Sequence, residues 1–272
     1  MNFLRTLGLA ALAGASMLII FYIGLHLWGA WNDEWSGYNA SLEYSTGWCN
    51  VAVVPVAGTI VPYGALDGEV NADDVVAALR SAERDEDIEA VLLRIDSGGG
   101  YPAASETIEK ALLASTLPSV ALIRDIGTSG AYLAATGANV IYASEYSDVG
   151  SIGVTMSYLD NVIQNEREGL HFVSLSSAPY KDYGNPNESL SKEARNLIER
   201  DLSIYHDVFV REVAQNRRIP LEEVKHLADG ASMPGELALQ NKLIDFLGVQ
   251  NDTRVWFAER LGVSPDEVVF CE

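Results

Sequence analysis

Basic residues are scarce in this chain. Lysine and arginine together number 18 against 38 aspartates and glutamates, for a formal charge of −20 at pH 7 over 272 residues. Phosphate backbones are held by lysine and arginine, so this balance argues against a nucleic-acid-binding function. Net charge bears on solubility and association rather than on fold, and the acidic surface assigns nothing more by itself. Lysine occurs only at positions 110, 181, 192, 225 and 242, so a lysine in an unusual context stands out. Histidine is confined to His26, His171, His206 and His226, which leaves few candidates for an imidazole base. Cysteine occurs only as Cys49 and Cys271. In an oxidising compartment these two could pair and tie the ends of a domain together; two buried thiols are the rival reading. No internal repeat or low-complexity tract occurs.

Hydrophobic residues make up 48% of the chain, enough for a substantial core. One stretch, Leu7 to Trp31, contains no Asp, Glu, Lys or Arg. About 20 apolar residues span a bilayer, and Trp28 and Trp31 suit its interface. Arg5 precedes the stretch, Asp33 and Glu34 follow it, and the next basic residue is Arg80. The positive-inside tendency then keeps residues 1–6 cytoplasmic and puts the body of the chain outside. A cleaved signal peptide is the rival. Ala13-Gly14-Ala15 resembles a cleavage site, but the apolar stretch before it is short and continues past it. The expected organisation is an uncleaved membrane anchor over 7–31, a juxtamembrane linker over 32–48 and one extracytoplasmic domain over 49–272.

Within that domain, strand-like and helix-like segments alternate. VAVVPV at 51–56, AVLLRI at 90–95, SVALI at 119–123 and VIYA at 140–143 read as strands, the second as one buried on both faces. Asn71, Asp73 and Asp74 can cap a helix carrying Val75, Val76 and Leu79; ETIEKALLA at 106–114 reads as another. This alternation predicts an α/β fold with a largely parallel sheet. A long helix is predicted over 191–217, ended by Pro220, with short helices after Pro220 and around 235–241 and 252–261. His171 beside Phe172 is predicted to lie in a strand. The apolar residues of the long helix (Leu197, Ile198, Leu202, Ile204, Tyr205, Phe209) suit core packing or an assembly surface.

Two glycine-containing turns follow predicted strands. Ser97-Gly98-Gly99-Gly100 matches neither the Walker phosphate loop nor the dinucleotide pattern. It leaves a run of N–H groups that can approach a ligand without Cβ interference, as an oxyanion hole requires, or a simple tight turn. Ser129 in RDIGTSGAYLAA stands between a strand-like and a helix-like run, where a nucleophile would meet the N–H groups of a helix start. The elbow G-x-S-x-G of α/β-hydrolases fails, because residue 131 is alanine. A serine nucleophile needs a base. Lys181, in the loop SAPYKDYGNP, could serve if burial suppresses its charge, although a lysine in such a loop is ordinarily solvated. Ser151 in DVGSIGV could orient the amine.

The order of these motifs resembles that of the signal peptide peptidase A family of membrane-bound serine peptidases, in its short single-domain form. Its S-P-G-G-G turn corresponds to Ser97-Gly98-Gly99-Gly100, its A-S-G-G-Y motif to Thr128-Ser129-Gly130-Ala131-Tyr132, and its T-G-S-L-G-V segment to Val149 through Val154. Its K-D loop corresponds to Lys181-Asp182. A later D-G…G-x-x-A…L-V-D-x-L-G pattern corresponds to Asp229-Gly230, Gly235, Ala238 and Leu243 through Gly248. Gly98 stands where the family has proline, which predicts a looser turn, and Ala131 stands where it has a second glycine. The resemblance spans about residues 50–250. It implies a Clp protease/crotonase-like fold of stacked ββα units with a helical C-terminal part. It further implies Ser129 as nucleophile, Lys181 as general base, Ser151 as the lysine's hydrogen-bond partner, and Gly100 and Gly130 as the oxyanion hole, with no metal or cofactor. It also implies peptide substrates such as cleaved signal peptides, and a homo-oligomeric ring whose neighbouring subunits share active sites. The alternatives are an acyl-CoA enzyme on the same fold, disfavoured by the expected external location, and a catalytically degenerate membrane scaffold, disfavoured by retention of Ser129, Ser151, Lys181 and the glycine turn together.

Overall fold

The computed structural model describes residues 48–271. The expected anchor and all but the last residue of the expected linker lie outside the described residues; among the described residues no helix is long and apolar enough to cross a membrane.

The domain is a mixed α/β fold around an eight-stranded sheet. Among the described residues ten strands follow in order: β1 (Val51–Ala57), β2 (Thr59–Val61), β3 (Glu69–Asn71), β4 (Ala90–Ser97), β5 (Ser119–Thr128), β6 (Val140–Ala143), β7 (Asp148–Gly150), β8 (Ser232–Pro234), β9 (Phe246–Leu247) and β10 (Phe270–Cys271). The main sheet has the order β10-β1-β4-β5-β6-β9, all parallel. β7 pairs in parallel with the last residues of β5 and antiparallel with β8. β2 and β3 form a separate parallel pair.

The apolar run AVLLRI is continuous because its strand is covered on both faces, as parallel sheets require. Alternate residues point to opposite faces. Val91, Leu93 and Ile95 join Val54, Val56 and Ile123 in the larger core, while Leu92 packs with Val53, Val120, Leu122 and Phe257 on the other side. Helices α1 (Ala72–Ala82) and α2 (Pro102–Ala114) bury one stripe each in the larger core. The Asn71 side chain accepts the Asp73 N–H at 2.9 Å and so caps α1 as expected. Proline opens α2, where its missing N–H costs nothing. α3 (Gly130–Ala135) is buried all round.

After β7 the chain leaves the sheet. Residues 155–190 carry only the short helix α4 (Val162–Glu168), and most of them are exposed. His171 is exposed in a loop, not in a strand; the period-two pattern around Phe172 has no neighbouring strand to pair with. The long helix α5 (Lys192–Arg217) begins at Ser191, whose hydroxyl accepts the Ala194 N–H at 3.1 Å. It ends at Arg218, in the left-handed conformation at φ 55, two residues before Pro220. Its apolar residues divide: Phe209 is buried, Leu197, Ile198 and Leu202 are half-buried, and Ile204 and Tyr205 are exposed. α6 (Leu221–Leu227), α7 (Gly235–Gln240) and α8 (Gln250–Leu261) complete the chain, and Phe257 of α8 covers the second face of the sheet.

Cys49 and Cys271 form a disulfide with Cα atoms 5.4 Å apart and a sequence separation of 222. It staples β10 beside the start of β1. Closing so long a loop in the unfolded chain contributes about 5 kcal/mol on the chain-entropy account.

Candidate active site

β5 runs past the end of β6 and picks up β7 as its new neighbour. Ser129 follows at the carboxyl end of β5, the end where parallel sheets bind ligands. Its backbone lies at φ 54, ψ −126, a conformation that side-chain-bearing residues avoid at a cost of about 1–3 kcal/mol. Two hydrogen bonds hold it there: the Ser129 N–H donates to Gly150 O at 2.7 Å, and the Leu133 N–H donates to Ser129 O at 3.1 Å. Strand β7 therefore clamps the nucleophile candidate from one side and α3 from the other.

The SGGG turn lies against Ser129. A Cβ added to Gly99 would sit 2.7 Å from Gly130 N and 3.0 Å from Ser129 Cβ, and Gly99 also has φ +97. A Cβ on Gly100 would sit 2.1 Å from Ile60 O, because Ile60 donates to Gly99 O and accepts from the Tyr101 N–H, both at 2.9 Å. A Cβ on Gly130 would sit 2.2 Å from Ser105 Oγ and 3.3 Å from Gly100 N. Gly99 and Gly100 each press against the backbone of another segment and Gly130 against the Ser105 side chain, so none of the three has room for a side chain of its own. Among the described residues, neither the Gly100 N–H nor the Gly130 N–H donates a backbone hydrogen bond to another segment. Neither donor is taken up by another group of the described residues.

Gly98, where a looser turn was predicted, has open space around it. Ser97 pins the turn instead: its hydroxyl donates to Gly58 O at 2.5 Å and accepts the Gly99 N–H at 3.0 Å. Ala131 is fully buried, and its Cβ is accommodated in the core. Tyr132 is also fully buried and donates to Leu243 O at 2.8 Å; burial pushes its phenol well above the ordinary range.

Ser151 lies just beyond Gly150, the acceptor of the Ser129 N–H, at φ 50. Its N–H donates to Ala231 O at 3.0 Å and its hydroxyl to Gly230 O at 2.9 Å. Lys181 lies in an exposed turn, with its N–H on Ala178 O at 3.2 Å. Among the described residues its ammonium makes no hydrogen bond or ion pair. The chain thus brings Ser129, Gly100, Gly130 and the Ser151 backbone together, while Lys181 stands in solvent on the exposed segment.

Sequence reasoning missed Ser105. This α2 residue is fully buried, and its hydroxyl finds no hydrogen-bond partner. The available signal was a serine five positions beyond the turn, on the face of a helix directed at the core. Asp245 of the Leu243–Gly248 motif has a structural role: Arg217 grips it through two bonds of 2.8 and 2.9 Å, and it accepts the Ile141 N–H at 2.7 Å. Among the described residues no group of three or more His, Cys, Asp or Glu is placed to hold a metal ion.

A serine on a strained strand–helix turn thus lies beside two glycine N–H groups that no other described group takes up. The chain belongs to peptidase family S49, the signal peptide peptidase A family, whose family model matches residues 111–264. Among its relatives is a protein of Methanocaldococcus jannaschii provisionally named a protease, 30% identical over 70% of this chain and 62% of that one. A similarly named Synechocystis protein is 34% identical over 71% of this chain and 70% of its own length. An Enterococcus faecium protein provisionally named a signal peptide peptidase is 30% identical over 68% of this chain but only 54% of its own length. The chain therefore spans between about half and seven-tenths of these relatives. A solved structure, the 1510-N membrane-bound stomatin-specific protease with an S97A substitution, superimposes with a TM-score of 0.55 at 15% identity, covering 83% of this chain and 94% of that one. At that identity the likeness concerns the fold.

Proposed function

We propose that this protein is a serine endopeptidase working through a Ser129–Lys181 dyad. Ser129 Oγ bonds to the scissile carbonyl carbon while Lys181 Nζ takes its proton. The carbonyl oxygen becomes an oxyanion facing the N–H groups of Gly100 and Gly130. The C–N bond then breaks, and Lys181 returns the proton to the departing amine. Water repeats the sequence on the acyl-enzyme, releasing the acid and restoring Ser129. Ser151 accepts a hydrogen bond from the lysine and orients it. The observation that carries this reading is the strained Ser129 backbone packed against a glycine turn with two unspent donors.

The base must reach Ser129 in a place shielded from water. The exposed segment bearing Lys181 also carries apolar side chains in solvent, including Leu159 at 84%, Val173 at 72% and Leu175 at 94% exposure. Such a patch favours association. We read it as the surface by which a second copy of the chain covers Lys181 and completes a shared site in a homo-oligomeric ring. Residues 7–31 are read as the membrane anchor, with the N-terminus cytoplasmic and the peptidase domain outside, where the Cys49–Cys271 disulfide is favoured. Extended apolar peptides, such as cleaved signal peptides, are the substrates this location suits.

The test is to replace Ser129 with Ala and Lys181 with Ala separately, then follow cleavage of an apolar fluorogenic peptide. Each variant should be inactive. Mixing the two and allowing subunits to exchange should restore part of the activity if serine and lysine come from different copies. Full activity of the Ser129→Ala variant would eliminate the reading.

A further inference from the structure

The Asp229-Gly230 motif has no role in the chemistry above, yet it controls the Ser151 hydroxyl. Asp229 Oδ1 accepts the Ala231 N–H at 2.9 Å, closing a turn in which Gly230 takes φ +87. A Cβ on Gly230 would meet nothing within 4 Å, so glycine is needed there for conformation rather than space. The turn grips Ser151 twice, through Ser151 Oγ–H to Gly230 O at 2.9 Å and Ser151 N–H to Ala231 O at 3.0 Å. β8 continues the grip, with Ser232 opposite Gly150. From behind, His206 of α5 bonds Ala228 O through Nε2 at 3.0 Å. A carbonyl only accepts, so Nε2 is the protonated nitrogen.

The direction of the Ser151 bond has a chemical consequence. Gly230 O cannot donate, so the single hydroxyl proton of Ser151 is committed to it. Ser151 Oγ offers only lone pairs to any other group. An amine approaching it must donate an N–H, which leaves the nitrogen lone pair free for the proton of Ser129. Were Gly230 O turned away, the Ser151 hydroxyl could donate into that lone pair and block the base.

We propose that Asp229 is a positioning residue for catalysis: its turn presents the Gly230 carbonyl that makes Ser151 an obligate acceptor toward the lysine base. This inference rests on the Ser129–Lys181 reading. It assigns Asp229 no contact with substrate.

The experiment uses the full chain and measures release of p-nitrophenolate from a p-nitrophenyl ester as Ser129 is acylated, alongside apolar peptide cleavage. Asp229→Ala should lower the acylation rate and kcat about tenfold, with KM within about twofold. Asp229→Asn keeps an Oδ1 acceptor and should restore most of the rate. In a Ser151→Ala background, Asp229→Ala should have no further effect, because both changes remove the same device. Asp229 is exposed, and melting curves check folding; should the alanine variant not fold, Asp229→Gln, which moves the acceptor out by one methylene, must show the same loss. Wild-type rates in the alanine or glutamine variant, absence of rescue by asparagine, or an equal loss in the Ser151→Ala background would overturn the proposal. If the Ser129→Ala variant were acylated as fast as wild type, the dyad reading itself would fall. An inert Ser129→Ala with an unaffected Asp229→Ala would sink only the role of Asp229.

Discussion

Ser105 Oγ occupies the place where a side chain on Gly130 would begin, 2.2 Å from that Cβ position. Gly130 lies in a helix without positive φ, so alanine suits its backbone, and only the clash opposes it. Gly130→Ala should push the helix start away from Gly100 and lower kcat about a hundredfold, the scale of losing one oxyanion donor. Adding Ser105→Ala removes the hydroxyl and leaves Ser105 Cβ 3.1 Å away, so the double variant should recover part of that loss. Equal kcat values for the single and double variants would show that the clash is not the cause.

The strain at Ser129 gives a second expectation. Ser129→Gly relieves the φ 54 conformation and should raise unfolding stability by about 1 kcal/mol, measured by urea titration, while abolishing turnover. A glycine variant less stable than wild type would mean that the serine side chain contributes packing the strain argument ignores.

Reduction of the Cys49–Cys271 disulfide should lower stability by about 2–5 kcal/mol, as should Cys271→Ser. Comparing melting midpoints with and without reductant checks this. Cys271→Ser should no longer respond to reductant, since no other disulfide occurs among the described residues.

Glu109 is a buried carboxylate. Burial raises its pKa above the ordinary value, opposed by hydrogen bonds from Asn216 and Lys110 and by the charge of Lys110, and reinforced by Glu212. Asn216 donates to Oε1 at 2.5 Å and also to Thr136 Oγ1 at 3.0 Å. A carboxyl raised on folding contributes stability that is present below its unfolded pKa and is lost as pH rises through the folded value. Glu109→Gln keeps an acceptor for Asn216 without the charge. Its stability should therefore decline less than that of wild type as pH rises from the ordinary carboxylate range. Parallel pH–stability curves for the two proteins would contradict this.

Much of the sheet was legible because burial on two faces leaves uninterrupted apolar runs, as in AVLLRI and VIYA, and because Asn71, Ser191 and Pro220 punctuate their helices by local chemistry. The pattern misled at His171, where an alternating stretch found no strand to join. It also understated β5, read as ending at Ile123 but extended to Thr128 by pairing with β7. That pairing was invisible in the sequence because β7 is short and its partner β8 lies more than 80 residues further on.

The sequence by itself determined the candidate residues of this protein: a serine between a strand and a helix, a glycine turn, few lysines, and the α/β alternation that carries them. These follow from residue type and local periodicity, which act over one or two turns of chain. Only the tertiary structure decided that Ser129 is held at positive φ by Gly150, that Gly130 is glycine because of Ser105, that Ser151 spends its proton on Gly230, and that Cys49 reaches Cys271. Each of those depends on segments distant in sequence approaching within a hydrogen bond or a van der Waals radius, and packing of the whole core sets such approaches.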